Sequence, residues 1–404
     1  MVDPLRVGVT GALAPFAPGF VVAVAEAGYP PNGGAKQVQL LAHLSRWLET
    51  EGLGPADLDV EVIGRFFAAR RAAGYRERLT PRSGEVLFAY LRGLGVVPVA
   101  SAPSAPQGPM EELLARFERY LLLERGLLAD TAHDYVRSVR PFLEGFADAD
   151  HVNVSRLDGP AVVAFVIERC PRQTRSSAKR TVKALRSVLG FLHAEGYIER
   201  SLTHAVPAVG GWRLAGLPKR LEPDQVRRLL AACDRRSVTG RRDVAVLTVL
   251  ARLGLRAGEV AGLSLDDIDW RAGEVVVHGK AGRSERLPLP ADVGEAMVAY
   301  LQDGRPASAL GRTLFVRVRA PHRTLTNKAV SAIVLRAATR AGLGRIGPHQ
   351  LRHTVASEML AAGASLPEIG QVLRHQHPET TAIYAKVDRE ALRRLARPWP
   401  EAAR

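Results

Sequence analysis

Cysteine is scarce. The 404 residues hold two, Cys170 and Cys233, far apart and with no His or Cys at ligand spacing. That argues against a disulfide framework and a zinc site, and it fits a reducing cytoplasm. Long apolar runs are missing too: no stretch approaches the roughly 20 residues that a membrane span requires. The mildly apolar segment Ala12–Ala25 is interrupted by Pro15, Pro18 and Gly19, is followed closely by Glu26 and has no charged leader of the usual kind before it, so it is not read as a secretion signal. No carboxylate cluster suggests a catalytic metal. Acidic charge is in deficit, 41 Asp+Glu against 56 Lys+Arg, leaving a formal charge of +15. Such a surplus calls for a polyanion, most commonly a nucleic-acid backbone, although a GC-rich genome's preference for Arg raises the charge in the same way.

What is present is the composition of a globular protein, 47% hydrophobic and 24% charged, long enough for two or three domains. Pro98–Pro109 (PVASAPSAPQGP) reads as a linker, and a second break falls near Pro207–Lys219, where prolines and glycines cluster. The chain therefore divides into an N-terminal region (1–97), a middle domain (110–206) and a C-terminal domain (221–404), joined by linkers at 98–109 and 207–220. The first two read as helical. Leu40, Leu41, Leu44, Trp47 and Leu48 recur at helical spacing, as do Val62, Ile63, Phe66 and Phe67, and further on Leu113, Leu114, Phe117, Tyr120 and Leu121. A faint echo links them: Leu58-Asp59 before Phe66 resembles Leu157-Asp158 before Phe165, and Tyr90-Leu91 before Gly95-Val96-Val97 resembles Phe191-Leu192 before Gly196-Tyr197-Ile198.

From Arg169 to Ala194 there is no acidic residue. Arg172, Arg175, Lys179, Lys183 and Arg186 step by three or four, which places them on one helix face, with Val182, Leu185, Val188, Leu189 and Leu192 on the other. Ordinary solvated faces mix signs; a face of one sign reads better as a phosphate-contacting helix. In the C-terminal domain, Glu274–His278 and Glu285–Leu289 are short β runs around a Gly/Lys/Arg-rich turn, a hairpin with a basic tip. Helices are predicted at Val244–Leu253, Asn327–Ala341, His349–Ala362 and Leu366–Leu373, the last opened by a Ser365/Glu368 capping box. The fold class is thus mainly α and multidomain, with a small antiparallel β-sheet in the C-terminal part.

Four stretches carry chemistry, and only as a set. They are Gly254-Leu255-Arg256, the hairpin tip Gly279-Lys280-Ala281-Gly282-Arg283, His349-Gln350-Leu351-Arg352-His353, and His375 with Tyr384 nine residues on. Singly, each has a bland explanation: a surface Arg, a solvated Lys, a chance His-x-x-Arg, a packed Tyr. Together they supply two forked donors for phosphate oxygens, two histidines, a mobile amine and a phenolic nucleophile.

That ordered set resembles the tyrosine recombinase (phage integrase) superfamily, from about Met110 to the C-terminus. The resemblance places the catalytic roles on Arg256, Lys280, His349, Arg352, His375 and Tyr384. It implies that Tyr384 forms a 3′-phosphotyrosyl bond and frees a 5′-hydroxyl, while Arg256 and Arg352 clamp the phosphate. His375 would stabilise the same charge, His349 would relay the tyrosine proton and Lys280 would act as general acid. Neither metal nor nucleotide cofactor is implied, because the phosphotyrosyl bond conserves the energy of the one broken. The implied partner is double-stranded DNA, bound on two sites by a homotetramer whose C-terminal segments pass between neighbours. The stripe Leu392, Leu395, Ala396 and Trp399 suits that role or, equally, packing on its own domain, and recombinases of mobile elements sometimes act with related neighbours. One departure stands out: Arg374 replaces the glycine usual before the second histidine. Residues 1–97 lie outside the family's minimal plan and read as a helical accessory module whose basic residues, among them Arg65, Arg70, Arg71, Arg76, Arg78 and Arg82, suit DNA flanking the core site, with plain surface charge or a role in protein contacts as the alternatives. Two rivals remain open: a type IB topoisomerase, and a catalytically silent DNA-binding protein on the same fold.

Overall fold

The structure is a computed structural model that describes residues 4–97, 108–148, 151–210, 220–279, 283–309 and 311–387. Both linkers fall largely outside these residues, as do Lys280 and the tail stripe beyond position 387. The chain forms two compact units: Met1–Val99 clusters with Gly216–Arg404, and Ala100–Ala215 stands as the second.

In the first unit, residues up to 97 form α1 (Ala17–Glu26), α2 (Pro31–Glu51), α3 (Val60–Ala72) and α4 (Glu85–Gly93). Leu40, Leu41, Leu44, Leu48, Phe66 and Phe67, spaced helically in the sequence, are buried together with Phe20, Phe88 and Leu91. This module contacts the rest of its own unit directly. Arg323 pairs with Glu85 at 2.5 Å. Gly28 (φ +80°) lies so near the later segment that a Cβ would stand 2.4 Å from Ser308 Oγ, a place only glycine fills.

The second unit contains α5 (Pro109–Leu123), α6 (Ala129–Glu144), α7 (Gly159–Arg169) and α8 (Arg175–Ala194). The apolar face of α8 is buried along its length, and Phe191 meets Phe117 and Tyr120, each at 5.4 Å between ring centroids. The echo between the two helical segments has a local physical basis. Asp59 and Asp158 each cap a helix, accepting from Val62 N and Ala161 N. Gly95 and Gly196 each terminate one in the left-handed region, with Val96 N and Tyr197 N bonded back to Leu91 O and Leu192 O.

The remaining elements belong to the first unit. They are α9 (Pro223–Ala231), α10 (Val238–Leu253), α11 (Ala257–Gly262), β1 (Ile268–Asp269), β2 (Glu274–His278), β3 (Ser284–Pro288), α12 (Ala291–Asp303), α13 (Asn327–Arg340), α14 (Pro348–Ala361), α15 (Leu366–Val372) and α16 (Pro378–Thr381), followed by a 3-10 stretch, Ala382–Val387. α10 is the central element, nearly all of it buried against α12, α13 and α14. The three strands form an antiparallel sheet in the order β1-β2-β3, with His278 opposite Ser284. Val275, Val277 and Leu287 turn inward, and because Ser284 pairs with His278 the second hairpin strand runs one residue earlier than its sequence pattern indicates. No helix among the described residues is long and apolar enough to cross a membrane.

Candidate active site

Each candidate side chain among the described residues is placed by a helix, a helix terminus or the 3-10 stretch that follows α16. α10 ends at Gly254 in the left-handed region (φ +59°), where a Cβ would meet Leu373 at 2.8 Å. Two residues on, Arg256 caps α11: its backbone N–H donates to Glu259 Oε2 at 2.8 Å and its Nη1 to Glu259 Oε1 at 2.6 Å. Glu259 is buried, and although burial raises its pKa, bonds from Arg256 and the charges of Arg374 and Arg256 bring it below the usual carboxylate range.

α14 begins with Pro348 at its first position and presents His349, Arg352 and His353 from one end. Arg352 is 2% exposed and donates from Nη1 to Gly254 O at 2.6 Å and from Nη2 to Leu373 O. Burial first, then the neighbouring Arg256 and Arg374, push its pKa down to about 10, so it stays cationic at neutral pH. Arg256 Nη2 reaches the next carbonyl, Arg374 O, at 3.1 Å. The two arginines therefore converge on consecutive carbonyls at the end of α15.

That terminus explains the departure at position 374. Arg374 N bonds to Gln371 O and His375 N to Gly370 O, both at 2.9 Å, and Arg374 itself has φ +56°. This is a helix stop that favours glycine. Arg374 occupies it with a buried side chain that donates to Glu259 Oε2 at 3.0 Å and to Val372 O at 3.0 Å. Glu259 thus joins Arg256 to Arg374.

Beyond the stop, His375 Nδ1 lies 2.7 Å from Thr381 Oγ1. The chain turns through α16 and places Tyr384 on α14. The tyrosine is 1% exposed, stacked on His375 (centroids 6.5 Å, planes 6° apart). Its hydroxyl lies 2.8 Å from His353 Nδ1. Burial raises the phenol to about 12, against a smaller lowering by Arg352. Burial first, and the adjoining His349 and Arg352 second, lower His353 to about 4; burial and then Arg352 and Arg256 lower His375 to about 4. Both imidazoles are neutral at physiological pH, as the hydroxyl's partner must be if it is to accept a proton.

Five of the six catalytic residues proposed from sequence lie in this network. His349 contacts it through His353, ring centroids 5.0 Å apart, and no hydrogen bond joins His349 to Tyr384 among the described residues. Lys280 lies outside the described residues; Gly279 and Arg283, on either side of that tip, line a cleft of about 1620 Å³ together with Arg256, His375 and His377. Sequence reasoning missed His353. The signal was present, because His349 and His353 stand one helical turn apart, but the contact that brings His353 to Tyr384 comes from a residue 31 positions along the chain. On the second unit, Arg172, Arg175, Lys183 and Arg186 are exposed and Lys179 is half-buried. They are not all free: Arg172 pairs with Glu168 at 3.5 Å and Arg186 donates to Val206 O at 2.9 Å.

Comparison with known proteins agrees with this geometry. Residues 219–391 match the phage integrase family, and residues 114–196 match the phage integrase N-terminal SAM-like domain. An integrase/recombinase of Sinorhizobium fredii, y4rA, is 41% identical over 382 residues, covering 92% of this chain and 91% of the relative. The tyrosine recombinase XerD of Mycobacterium tuberculosis is 32% identical over 292 residues, 68% of this chain and 93% of the relative. The site-specific recombinase XerH, solved on its palindromic difH substrate after cleavage, shares the fold at a TM-score of 0.57 and 19% identity, covering 84% of this chain and 95% of that one. The chain belongs to the tyrosine recombinase (phage integrase) family, enzymes that cleave and rejoin DNA at specific sites.

Proposed function

We propose that Tyr384 cuts one strand of double-stranded DNA at a specific site and that the chain rejoins the held end to a new partner, moving a mobile element by integration, excision or transposition. The observation that carries this reading is the Tyr384 hydroxyl resting on a neutral His353 beside two convergent arginines. In the reaction the phenolic oxygen attacks phosphorus, the bond to the 5′-oxygen breaks, and the phenolic proton passes to His353 and on toward His349. A proton from Lys280 completes the 5′-hydroxyl. Arg256 and Arg352 exchange backbone carbonyls for the nonbridging oxygens of the scissile phosphate, and His375 donates to the same charge. Preorganised donors of this kind are commonly worth about 3 kcal/mol each. Rejoining reverses these steps and needs neither metal nor nucleotide.

DNA is gripped by the middle segment, 110–206, through Arg172, Arg175, Lys179, Lys183 and Arg186, and residues 1–97 serve as an accessory module, with 221–404 catalytic. Four protomers act on two sites in the cytoplasm, with related recombinases as further partners. XerH held on its own substrate after cleavage supports DNA as the partner. Strand exchange between two labelled duplexes bearing the ends of the element tests the reading: joined products support it, whereas relaxation of a site-free plasmid without strand exchange would make the chain a topoisomerase.

A further inference from the structure

The N-terminal module contains a buried cation without a counter-charge. Arg70, at the end of α3, is 8% exposed, and its guanidinium lies 4.2 Å from the Tyr75 ring centroid. Nη1 stands 2.6 Å from His43 Nδ1, Nη2 donates weakly to Glu77 O at 3.4 Å, and the buried Nε has no partner. Among the described residues no carboxylate pairs with it. Burying a guanidinium against apolar rings without an anion is unfavourable, because the lost hydration is not replaced by an opposite charge.

The surroundings add positive charge. Arg70 lines a pocket of about 270 Å³ with Lys36, His43, Tyr75, Arg76 and Arg78. Its one carboxylate, Glu77, is taken by Lys36 at 3.0 Å. Arg76 and the half-buried Arg78 form no ion pair among the described residues. One turn along α2 from His43, Arg46 extends the same face, and both Arg46 and Arg70 hold the His43 pKa below its usual value, after burial. A neutral His43 can then accept from Arg70 Nη1, leaving the remaining Nη hydrogens of the guanidinium for a ligand. Forked, preorganised NH groups beside further cations are the chemistry that recognises a tetrahedral phosphate.

We propose that this pocket binds a backbone phosphate of double-stranded DNA outside the segment that the catalytic site cleaves. This rests on the recombinase reading above, which brings DNA to the protein. Each phosphate neutralised releases counterions, so the contact adds about 0.9 to the slope of log affinity against log salt.

The test uses the full chain on a 60-base-pair duplex of arbitrary sequence, over a range of salt. The pocket variant is Arg76→Gln with Arg78→Asn; asparagine tolerates the left-handed backbone at 78 (φ +52°). Arg70→Gln is a second, independent variant, and Lys179→Gln with Lys183→Gln is a comparator in the other unit. Melting in inorganic phosphate forms a separate arm. We expect both pocket variants to lower the slope by about one unit, with unchanged circular dichroism. A comparator that loses slope while both pocket variants keep it would overturn the pocket assignment and leave DNA binding intact. Loss of a phosphate-induced rise in Tm with no change in the DNA slope would assign the pocket to free phosphate and overturn the DNA contact. Absence of DNA binding by the unaltered chain would overturn the recombinase reading, and this proposal with it.

Discussion

His353 Nδ1 lies 2.8 Å from the Tyr384 hydroxyl, a contact between the N-terminal half of α14 and a 3-10 stretch that follows it after α15 and α16. The histidine is a hydrogen-bond partner of the proposed nucleophile, whose side chain is 1% exposed. A hydroxyl pushed up to about 12 does not ionise unaided at neutral pH, so a proton acceptor within hydrogen-bond reach is required.

His353→Gln preserves a hydrogen bond to the phenol but accepts no proton. We expect single-turnover cleavage to slow by roughly a hundredfold or more with DNA affinity unchanged, the size usual for losing a general base. Unaltered cleavage in His353→Gln, alongside abolition in His349→Ala, would place the relay on His349 alone.

The geometry at Arg374 separates two effects. The left-handed backbone is unfavourable for any residue with a Cβ by about 1–2 kcal/mol, and glycine relieves it. The side chain, in turn, pairs with buried Glu259. Both Arg374→Ala and Arg374→Gly lose that pair, but only glycine recovers the strain. Thermal or denaturant unfolding should therefore show Arg374→Gly more stable than Arg374→Ala by about 1 kcal/mol. Equal stabilities would mean that the backbone at 374 is unstrained.

Stability should depend on pH in two windows. His353 and His375 have folded pKa values of about 4, below the usual 6.5. Between those values the unfolded chain binds protons that the native one refuses, so stability is complete above about 6.5 and falls as pH drops toward 4. Tyr384 acts at the other end. Its folded pKa of about 12 exceeds the usual 10, so the unfolded chain releases a proton first and stability declines above pH 10. Tm measured from pH 4 to 11 should show a plateau between about 7 and 10. A monotonic fall across neutral pH would contradict the neutral assignment of both histidines.

Much of the site was legible in the sequence because its parts are local: an Arg after a helix stop, a His-x-x-Arg turn, a tyrosine nine residues from a histidine. What was not legible depends on contacts across the chain. His353 was visible beside Arg352, but its contact with Tyr384 was not. Arg374 marked itself as a departure, yet its bond to Glu259 spans most of the C-terminal segment. α10 begins at Val238 rather than Val244 because Ser237 caps it, accepting from Gly240 N; the apolar pattern starts later than the helix does. The apolar stripes of residues 1–97 announced a helical module. Its contacts with the C-terminal part of its own unit, Arg323 with Glu85 and Gly28 against Ser308, left no periodic trace.

Chelation provides a further check. In the proposed mechanism Arg256, Arg352 and His375 stabilise the charge that builds on the phosphate, so cleavage in excess EDTA should match cleavage in magnesium. Loss of activity on chelation, restored by magnesium, would contradict the roles given to Arg256 and Arg352.

The central claim is that Tyr384 is the nucleophile, and the most direct test is adduct formation on a nicked suicide duplex by the unaltered chain and by Tyr384→Phe. Removing one hydroxyl takes away the attacking atom and its bond to His353 but leaves the ring packed on His375. We expect an SDS-stable protein–DNA adduct with the unaltered chain, none with Tyr384→Phe, and closely similar DNA affinity for both. An adduct of undiminished yield from Tyr384→Phe would contradict the assignment and place the nucleophile elsewhere in the chain.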